Sequence, residues 1–435
     1  MSSSLLAGTT ITARQVREAA RGGRLGVLLR EVHRKGAVSR AELAGRMAVN
    51  RSTVMALTAK LAAAGLVREE SSVATGRAGR PSLMVRAESD LVYVLAFDVA
   101  VDRLVAARVG LGGRVQQRLE AVRRRRYPDL DEVVRVLSGF GTALVDAAPP
   151  EARCVGVGAS FCGLVRAADG MVRLAPNMGW TDLDFGPALG RGLGLGLPVA
   201  VGNEAHLGAL AEYERGAGVA SRNLVYLHGD VGVGGGIIVG GRLLDGDDGY
   251  GAELGHMIVN PVDGRPCNCG SRGCLEAEVG ESALLEAAGR AGGPVGRDGV
   301  RAVVDAAASG DEAARRALDR VGDWLGIGVA NLINLFNPGV VVFGGMLQEI
   351  YRGAAERVRA RVAASVLPVS WERVELRTAA LGYDSSLAGG AELGFAPLLA
   401  DPLSVLERVP SVLRQESVQD MRRGVRGSRR RSWSR

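Results

Sequence analysis

Four residues of the kinds that bind transition metals lie close together in the middle of the chain. Cys267, Cys269 and Cys274 fall within eight residues, and His256 lies eleven residues before the first of them. Three thiolates and one imidazole form a closed tetrahedral zinc site, the structural kind that leaves no open position for catalysis. The alternative is a set of buried thiols or a disulfide, but the spacing favours one structural zinc ion per chain.

Two carboxylates lie beside this group. Glu253 precedes His256 by three residues, so on a helical turn the two side chains share a face. Glu276 follows Cys274 by two residues. A zinc ion would hold one nitrogen of His256 and leave the other free to meet a ligand. Glu253, His256 and Glu276 are therefore predicted to bind hydroxyl groups.

The segments that carry these residues, G-A-E-L-G-H and C-N-C-G-S-R-G-C-L-E, resemble the signature of the ROK family of sugar-dependent repressors and sugar kinases. The resemblance covers roughly residues 90–400. It implies an α/β fold with a two-lobed, actin-like (ribonuclease H-like) ATPase-type body that binds a sugar in its cleft. It also implies that Asn203 binds the sugar, and that Glu204 stands where the kinases have the aspartate that takes the proton from the attacking hydroxyl.

Both phosphate loops of the kinases are altered in this sequence. Asp98 remains, but residues 100–102 are Ala-Val-Asp where the kinases have Gly-Gly-Thr. In the second loop Val231 replaces a threonine and Asp230 adds a negative charge. A phosphate loop needs close backbone approach and hydrogen-bond donors, and Glu204 is one methylene longer than the kinase base. We therefore predict that kinase activity is lost; the alternative is a sugar kinase with an accessory DNA-binding domain.

The charge of the chain is unevenly distributed. Residues 1–86 carry 15 lysines and arginines against 5 aspartates and glutamates, and residues 421–435 carry 7 arginines, although the whole chain has a net charge of only +7. The region between them is therefore acidic. A basic head on an acidic body indicates that the head alone binds a polyanion.

The head has the pattern of a winged helix-turn-helix. Apolar residues at helical spacing predict three helices, of which the second begins after Ser39 and the third after Asn50, both good N-cap residues. Two apolar strands then flank a Gly-Arg-rich tip and predict a β-hairpin wing. The residues expected to contact DNA lie in the first turn of the third helix and in the wing tip, and they are Arg51, Ser52, Thr53, Arg77 and Arg80.

These patterns predict a winged helix-turn-helix at 1–86, a sugar-binding body at 87–400 with a second lobe at roughly 206–380, and a basic, disordered tail at 401–435. The sequence has no long apolar run and no signal-peptide pattern, and its few cysteines suit a reducing compartment, so we expect a cytoplasmic protein without a membrane span.

The predicted function is a sugar-responsive transcriptional regulator, a repressor in the simplest case. It would bind operator DNA as a homodimer or a dimer of dimers. Besides the sugar kinase with an accessory DNA-binding domain, a further alternative is a regulator that is controlled by a protein partner.

Overall fold

The computed structural model describes residues 23–71, 83–123 and 128–409, which form a head and a body of two lobes. The helices are α1 (Arg24–Lys35), α2 (Arg40–Met47), α3 (Arg51–Ala63), α4 (Leu130–Asp146), α5 (Phe185–Leu193), α6 (Glu204–Arg215), α7 (Leu275–Val279), α8 (Glu281–Ala287), α9 (Gly296–Ala308), α10 (Glu312–Phe336), α11 (Leu347–Ser365), α12 (Pro368–Trp371), α13 (Ser385–Ala400) and α14 (Pro402–Arg408). The strands are β1 (Ala37–Ser39), β2 (Val67–Ser71), β3 (Leu83–Ala87), β4 (Val92–Val99), β5 (Arg103–Gly110), β6 (Arg114–Val122), β7 (Arg153–Phe161), β8 (Leu164–Val165), β9 (Val172–Ala175), β10 (Trp180–Leu183), β11 (Val199–Asn203), β12 (Leu224–Gly229), β13 (Val233–Val239), β14 (Arg242–Leu243), β15 (Val340–Gly345) and β16 (Glu375–Thr378). None of the helices in these ranges is long and apolar enough to cross a membrane.

The head contains the three predicted helices and a small sheet of order β1-β3-β2. The Ser39 hydroxyl accepts a hydrogen bond from the Glu42 amide at 3.1 Å, and the Asn50 side chain accepts one from the Thr53 amide at 2.8 Å. Both side chains therefore cap the helices that the sequence predicted them to start. Strands β2 and β3 pair antiparallel, as expected for a wing. The tip with Arg77 and Arg80 lies outside the described residues.

The two lobes of the body are built on sheets of the same connectivity. Their strand orders are β6-β5-β4-β7-β11 and β14-β13-β12-β15-β16. In each sheet three antiparallel strands are followed by two that run parallel to the first strand. Strands β4, β5, β12 and β15 are buried along their whole length. The turns that follow β4 and β12 carry the acidic residues of the altered phosphate loops.

Helix α13 joins the head to the first lobe. A Cβ on Gly158 in β7 would lie 2.0 Å from the carbonyl oxygen of Gly390, and one on Gly26 in α1 would lie 2.6 Å from that of Leu399. Glycine is needed at both positions because the backbones approach so closely. Apolar residues of α1 and α13 also belong to one continuous core. The head therefore packs directly against the body.

The predicted disordered tail begins too early. Residues 402–408 form α14, whose first turn is capped by the Asp401 carboxylate at 3.4 Å from the Ser404 amide. Val405 and Leu406 pack against the core shared by head and body, and Val409 is 5% exposed. These apolar side chains stabilise a short helix. The sequence analysis did not predict this helix because it assigned the whole basic segment to a disordered tail. Residues 410–435 lie outside the described residues.

Candidate functional site

The four predicted metal ligands come together next to the second lobe. The ligand atoms of His256, Cys267, Cys269 and Cys274 all lie within 4.8 Å of one another. The Sγ atoms of Cys269 and Cys274 are 3.7 Å apart, and the Cys267 Sγ is 3.7 Å from the His256 Nδ1. Two Zn–S bonds of about 2.3 Å at a tetrahedral angle span nearly this separation. All five cysteines are free thiols, so the structure does not contain the alternative disulfide.

The two predicted carboxylates lie around this group. The Glu276 Oε2 accepts a hydrogen bond from the Val233 amide at 2.9 Å, and its Oε1 lies 3.6 Å from the Cys267 Sγ. Glu253 is exposed and directly precedes the short 3₁₀ turn that ends at His256. The residue is exposed, but the surrounding protein removes part of the water around its carboxyl, and this desolvation raises the pKa of Glu253; the negative charge of Glu276 raises it further, and His256 opposes the shift. Both His256 and Glu276 therefore influence the Glu253 carboxyl.

Asn203 and Glu204 lie at the junction between β11 and α6. The Asn203 Oδ1 accepts hydrogen bonds from the amides of Ala205 and His206 at 2.9 and 3.0 Å, and its Nδ2 donates to the Gly163 carbonyl at 2.9 Å. Asn203 therefore caps α6 and holds the loop at Gly163. Asn203 thus has a structural role in addition to its predicted contact with a ligand.

Glu204 belongs to a second group of charged residues, which includes Asp98 and Asp230 of the two segments that resemble the phosphate loops of the kinases. At its centre is Arg103, which is 7% exposed and follows the β4–β5 turn directly. Its guanidinium nitrogens lie 3.7 Å from Asp98, 4.0 Å from Asp102 and 3.6 Å from Asp230. An arginine of the protein thus occupies the centre of this region, and three carboxylates that would repel a phosphate surround it.

Burial dominates the pKa values in this group. Burial raises the pKa of Glu204 well above its usual value, and the charges of Asp230 and Asp98 raise it further. Burial also raises the pKa of Asp230 to about 6, although Arg103 opposes the shift. His228, at the end of β12, is driven the other way, since burial lowers its pKa to about 3. The loss of water around these side chains therefore outweighs the attraction of Arg103 for the two carboxylates.

The predicted DNA-contacting turn of the head lies on the surface. Arg51 and Ser52 are exposed and Thr53 is half-buried at the start of α3. The Ser52 hydroxyl donates to the Asn50 Oδ1 at 2.9 Å, so it supports the helix cap. Other head arginines are paired, such as Arg40 with Glu69 and Arg68 with Glu70 and Glu88. Within the part of the chain that the structure describes, Arg51 forms no ion pair, which leaves its charge available.

Helix α6 connects the body's cleft with the head. Its first residue is Glu204, and its last residue, Arg215, donates from one guanidinium nitrogen to the carbonyl oxygens of His33 at 2.7 Å and Gly112 at 3.0 Å. The neighbouring Glu214 forms an ion pair with Arg34 of α1. A helix of 12 residues is about 18 Å long. One rigid element therefore spans from the charged group of the cleft to the first helix of the head.

The contact at the head end of α6 is a buried polar network. His33 is fully buried, and its Nδ1 accepts a hydrogen bond from the Gly112 amide at 2.9 Å. Its Nε2 lies 3.1 Å from the Glu392 Oε2, and the Glu392 Oε1 accepts from the Arg215 Nε at 2.5 Å. Burial lowers the pKa of His33 although Glu392 opposes the shift, so the ring is neutral near pH 7 and donates from Nε2. Sequence analysis missed this network because its members lie far apart in the chain.

Comparison with known proteins identifies the family. The model of the ROK family matches residues 112–395, which is more than half of the chain. The chain belongs to the ROK family. This confirms the predicted family, and the ROK fold class agrees with the two lobes described above.

The ROK relatives include both regulators and kinases. The xylose repressor of Bacillus spizizenii is 27% identical over 365 residues, which cover 83% of this chain and 92% of the repressor. The glucokinase of Thermotoga maritima is 34% identical over 257 residues, but these cover only 56% of this chain and 79% of the kinase. A crystal structure of a ROK family transcriptional regulator, a homologue of the E. coli MLC protein, superposes with a TM-score of 0.72 at 25% identity and covers 90% of this chain and 100% of its own. A superposition that covers 90% of this chain must include the head, whereas the region matched by the kinase corresponds to the body.

Proposed function

We propose that this ROK protein is a sugar-responsive DNA-binding transcriptional regulator, in the simplest case a repressor, without sugar kinase activity. The observation that carries the proposal is α6, which starts at Glu204 in the cleft and ends on α1 of the head through Arg215. A ligand that shifts the start of this helix also shifts the element on which the head rests. The same conclusion is supported by the xylose repressors, which match most of this chain, and by Arg51, which forms no ion pair with the described residues.

The sugar would bind beside the cysteine group. Glu253, Glu276 and the Nε2 of His256 are the proposed hydrogen-bonding groups, together with Asn203 and Glu204 at the start of α6. D-xylose and D-glucose are the first effectors to test, because relatives of this chain are named for these sugars. In the simplest arrangement two heads of a homodimer, or of a dimer of dimers, read half-sites about 34–36 Å apart.

The metal group is proposed to hold one zinc ion per chain. The ion would fix the imidazole of His256 through Nδ1 and order the loop that carries Glu276, and it would take no part in bond breaking. Metal analysis of protein purified without a chelator is expected to give about one zinc per chain, and Cys269→Ser is expected to lose it and to weaken sugar binding. The matched control is Cys162→Ser, which lies outside the group and should keep the zinc. Protein that folds and binds sugar normally without zinc would contradict the assignment.

No kinase activity is expected, because Arg103 and three carboxylates occupy the region where the kinases hold phosphate. The measurement is ADP release from ATP in the presence of D-glucose or D-xylose, with a ROK glucokinase as the positive control. Only background release is expected. The competing function is a sugar kinase with an accessory head, which the glucokinase relatives favour. Sugar-dependent ADP release that Glu204→Ala abolishes would establish that function instead.

DNA binding is expected to depend on Arg51. Selection from a random duplex library with the full-length protein would give the operator, and binding is expected to weaken steeply as the salt concentration rises. Arg51→Ala should cost about 1–3 kcal/mol and relax specificity at the base it reads. Lys60→Ala, at the other end of α3, is the control and should weaken binding less and equally for all sequences. Equal losses in the two variants would show that α3 does not read the operator by its N-terminus.

A further inference from the structure

A second group of ligand atoms lies about the junction of the lobes, apart from the cysteine group. The carboxylate of Glu204, the imidazole of His228 and the carboxylate of Asp230 offer ligand atoms that all lie within 4.8 Å of one another. Glu204 begins α6, whereas His228 and Asp230 lie at the end of β12 and in the turn after it. We propose that Glu204, His228 and Asp230 bind a divalent transition-metal ion that links α6 to the second lobe.

Asp230 supports the proposal because its bonding is incomplete. Asp230 is 7% exposed, and its buried Oδ2 atom has no hydrogen-bond partner among the residues that the structure describes. The nearest guanidinium nitrogen of Arg103 is 3.6 Å away, which is beyond the usual 2.7–3.2 Å of a hydrogen bond. A buried carboxylate oxygen without a donor is costly. A metal ion would give this oxygen the partner that the protein does not provide.

The imidazole of His228 is prepared to act as a ligand. It is 2% exposed, and its Nδ1 lies 3.1 Å from the hydroxyl of Tyr226. A histidine that binds a metal with one ring nitrogen usually holds a hydrogen-bond partner on the other. His228 therefore has the outer contact that a ligand needs.

The charges also match a divalent cation. Four carboxylates, those of Asp98, Asp102, Glu204 and Asp230, influence one another, whereas the cations that act on them are Arg103 and Arg297. With all four carboxylates ionised their formal sum is two negative charges, which an ion of charge +2 would cancel. Metal bonds of about 2.1 Å place two ligand atoms at most about 4.2 Å apart, and the three ligand atoms lie within 4.8 Å of one another, so movements of the side chains alone would bring them into binding distance. One imidazole and two carboxylates suit Mn²⁺ or Zn²⁺ better than Mg²⁺ or Ca²⁺, which prefer oxygen ligands alone.

The probe for this site is Mn²⁺, added to the full-length protein with zinc already bound to the cysteine group. Electron paramagnetic resonance measures the free Mn²⁺ that remains during the titration. One Mn²⁺ site per chain is expected in the unaltered protein, and His228→Asn and Asp230→Asn should each weaken binding by at least about tenfold. Asp102→Asn removes the same charge from the same region without removing a proposed ligand, so it should retain the site. Cys269→Ser should also retain it, which separates this site from the cysteine group.

A second readout does not depend on the variants folding. Pulsed electron paramagnetic resonance of Mn²⁺ bound to the unaltered protein should show coupling to one imidazole nitrogen. Absence of Mn²⁺ binding at millimolar concentration would overturn the proposal. It would also be overturned by bound Mn²⁺ without nitrogen coupling, or by equal losses in Asp102→Asn and His228→Asn. Of the three proposed ligands only Glu204 is also assigned to the sugar site, and the variants tested here are His228→Asn and Asp230→Asn, so none of these outcomes decides whether the protein responds to sugar.

Discussion

Glu392→Ala is expected to lower the free energy of unfolding by about 3 kcal/mol, the lower end of the range for breaking a buried ion pair. Its side chain is 16% exposed and accepts from the fully buried His33 at 3.1 Å and from the Arg215 Nε at 2.5 Å. Removing the carboxylate leaves a largely buried guanidinium without its counter-charge and a buried imidazole without its acceptor. The loss therefore exceeds the value of the contacts themselves.

Urea denaturation of the full-length protein measures this effect. The matched control is Glu375→Ala, whose carboxylate is 62% exposed and pairs with Arg377 on the surface. That pair is expected to contribute no more than about 1 kcal/mol. If the two variants lose the same free energy, the His33–Glu392–Arg215 network does not hold the head against the body. Glu392→Ala should also reduce the sugar response, because it loosens the contact between α6 and α1.

The second large effect is expected in the cleft. Glu253→Ala should leave operator binding by the ligand-free protein unchanged and abolish the effect of sugar on it. Couplings of this kind are typically about 1–3 kcal/mol, or 5–150-fold in affinity. The side chain of Glu253 is exposed, so a ligand can reach it and its carboxylate can accept a hydrogen bond from a hydroxyl group. Substitution of Glu276 would be a less specific test of sugar binding, because its carboxylate also accepts a hydrogen bond from the Val233 amide.

The comparison variant is Glu286→Ala. Its carboxylate is 52% exposed and pairs with Arg265 on the surface. Operator affinity is measured by fluorescence anisotropy with and without D-xylose or D-glucose. Glu286→Ala should retain the full response. A response that persists in Glu253→Ala would remove this carboxylate from the sugar site, and a loss in both variants would indicate a general change in the lobe.

Some of this structure was predictable from local patterns. Ser39 and Asn50 cap helices where their types and spacing indicate, since a cap is a bond between near neighbours in the chain. The cysteine group was equally accessible, because three ligands fall within eight residues and the fourth lies close by. The two-lobed α/β body was predicted from the family resemblance and not from periodicity.

Other features depend on contacts that no local pattern reveals. His33 and Glu392 are 359 positions apart, and Arg215 reaches the His33 carbonyl across 182. Arg103 begins an apolar strand, and only the folded chain brings Asp230 to it from the other lobe. Isolated charged residues of this kind are common in sequences. Their partners are decided by tertiary packing.

The central claim, that the cleft and the head are coupled, is tested most directly by measuring one dissociation constant twice. The full-length protein is titrated with its sugar, D-xylose or D-glucose, in the absence of DNA and again with saturating operator. Linkage requires operator DNA to change the sugar affinity by the same factor by which sugar changes the operator affinity. We predict a change of about 5–150-fold, in the same sense in both directions. Identical sugar dissociation constants with and without operator would contradict the account.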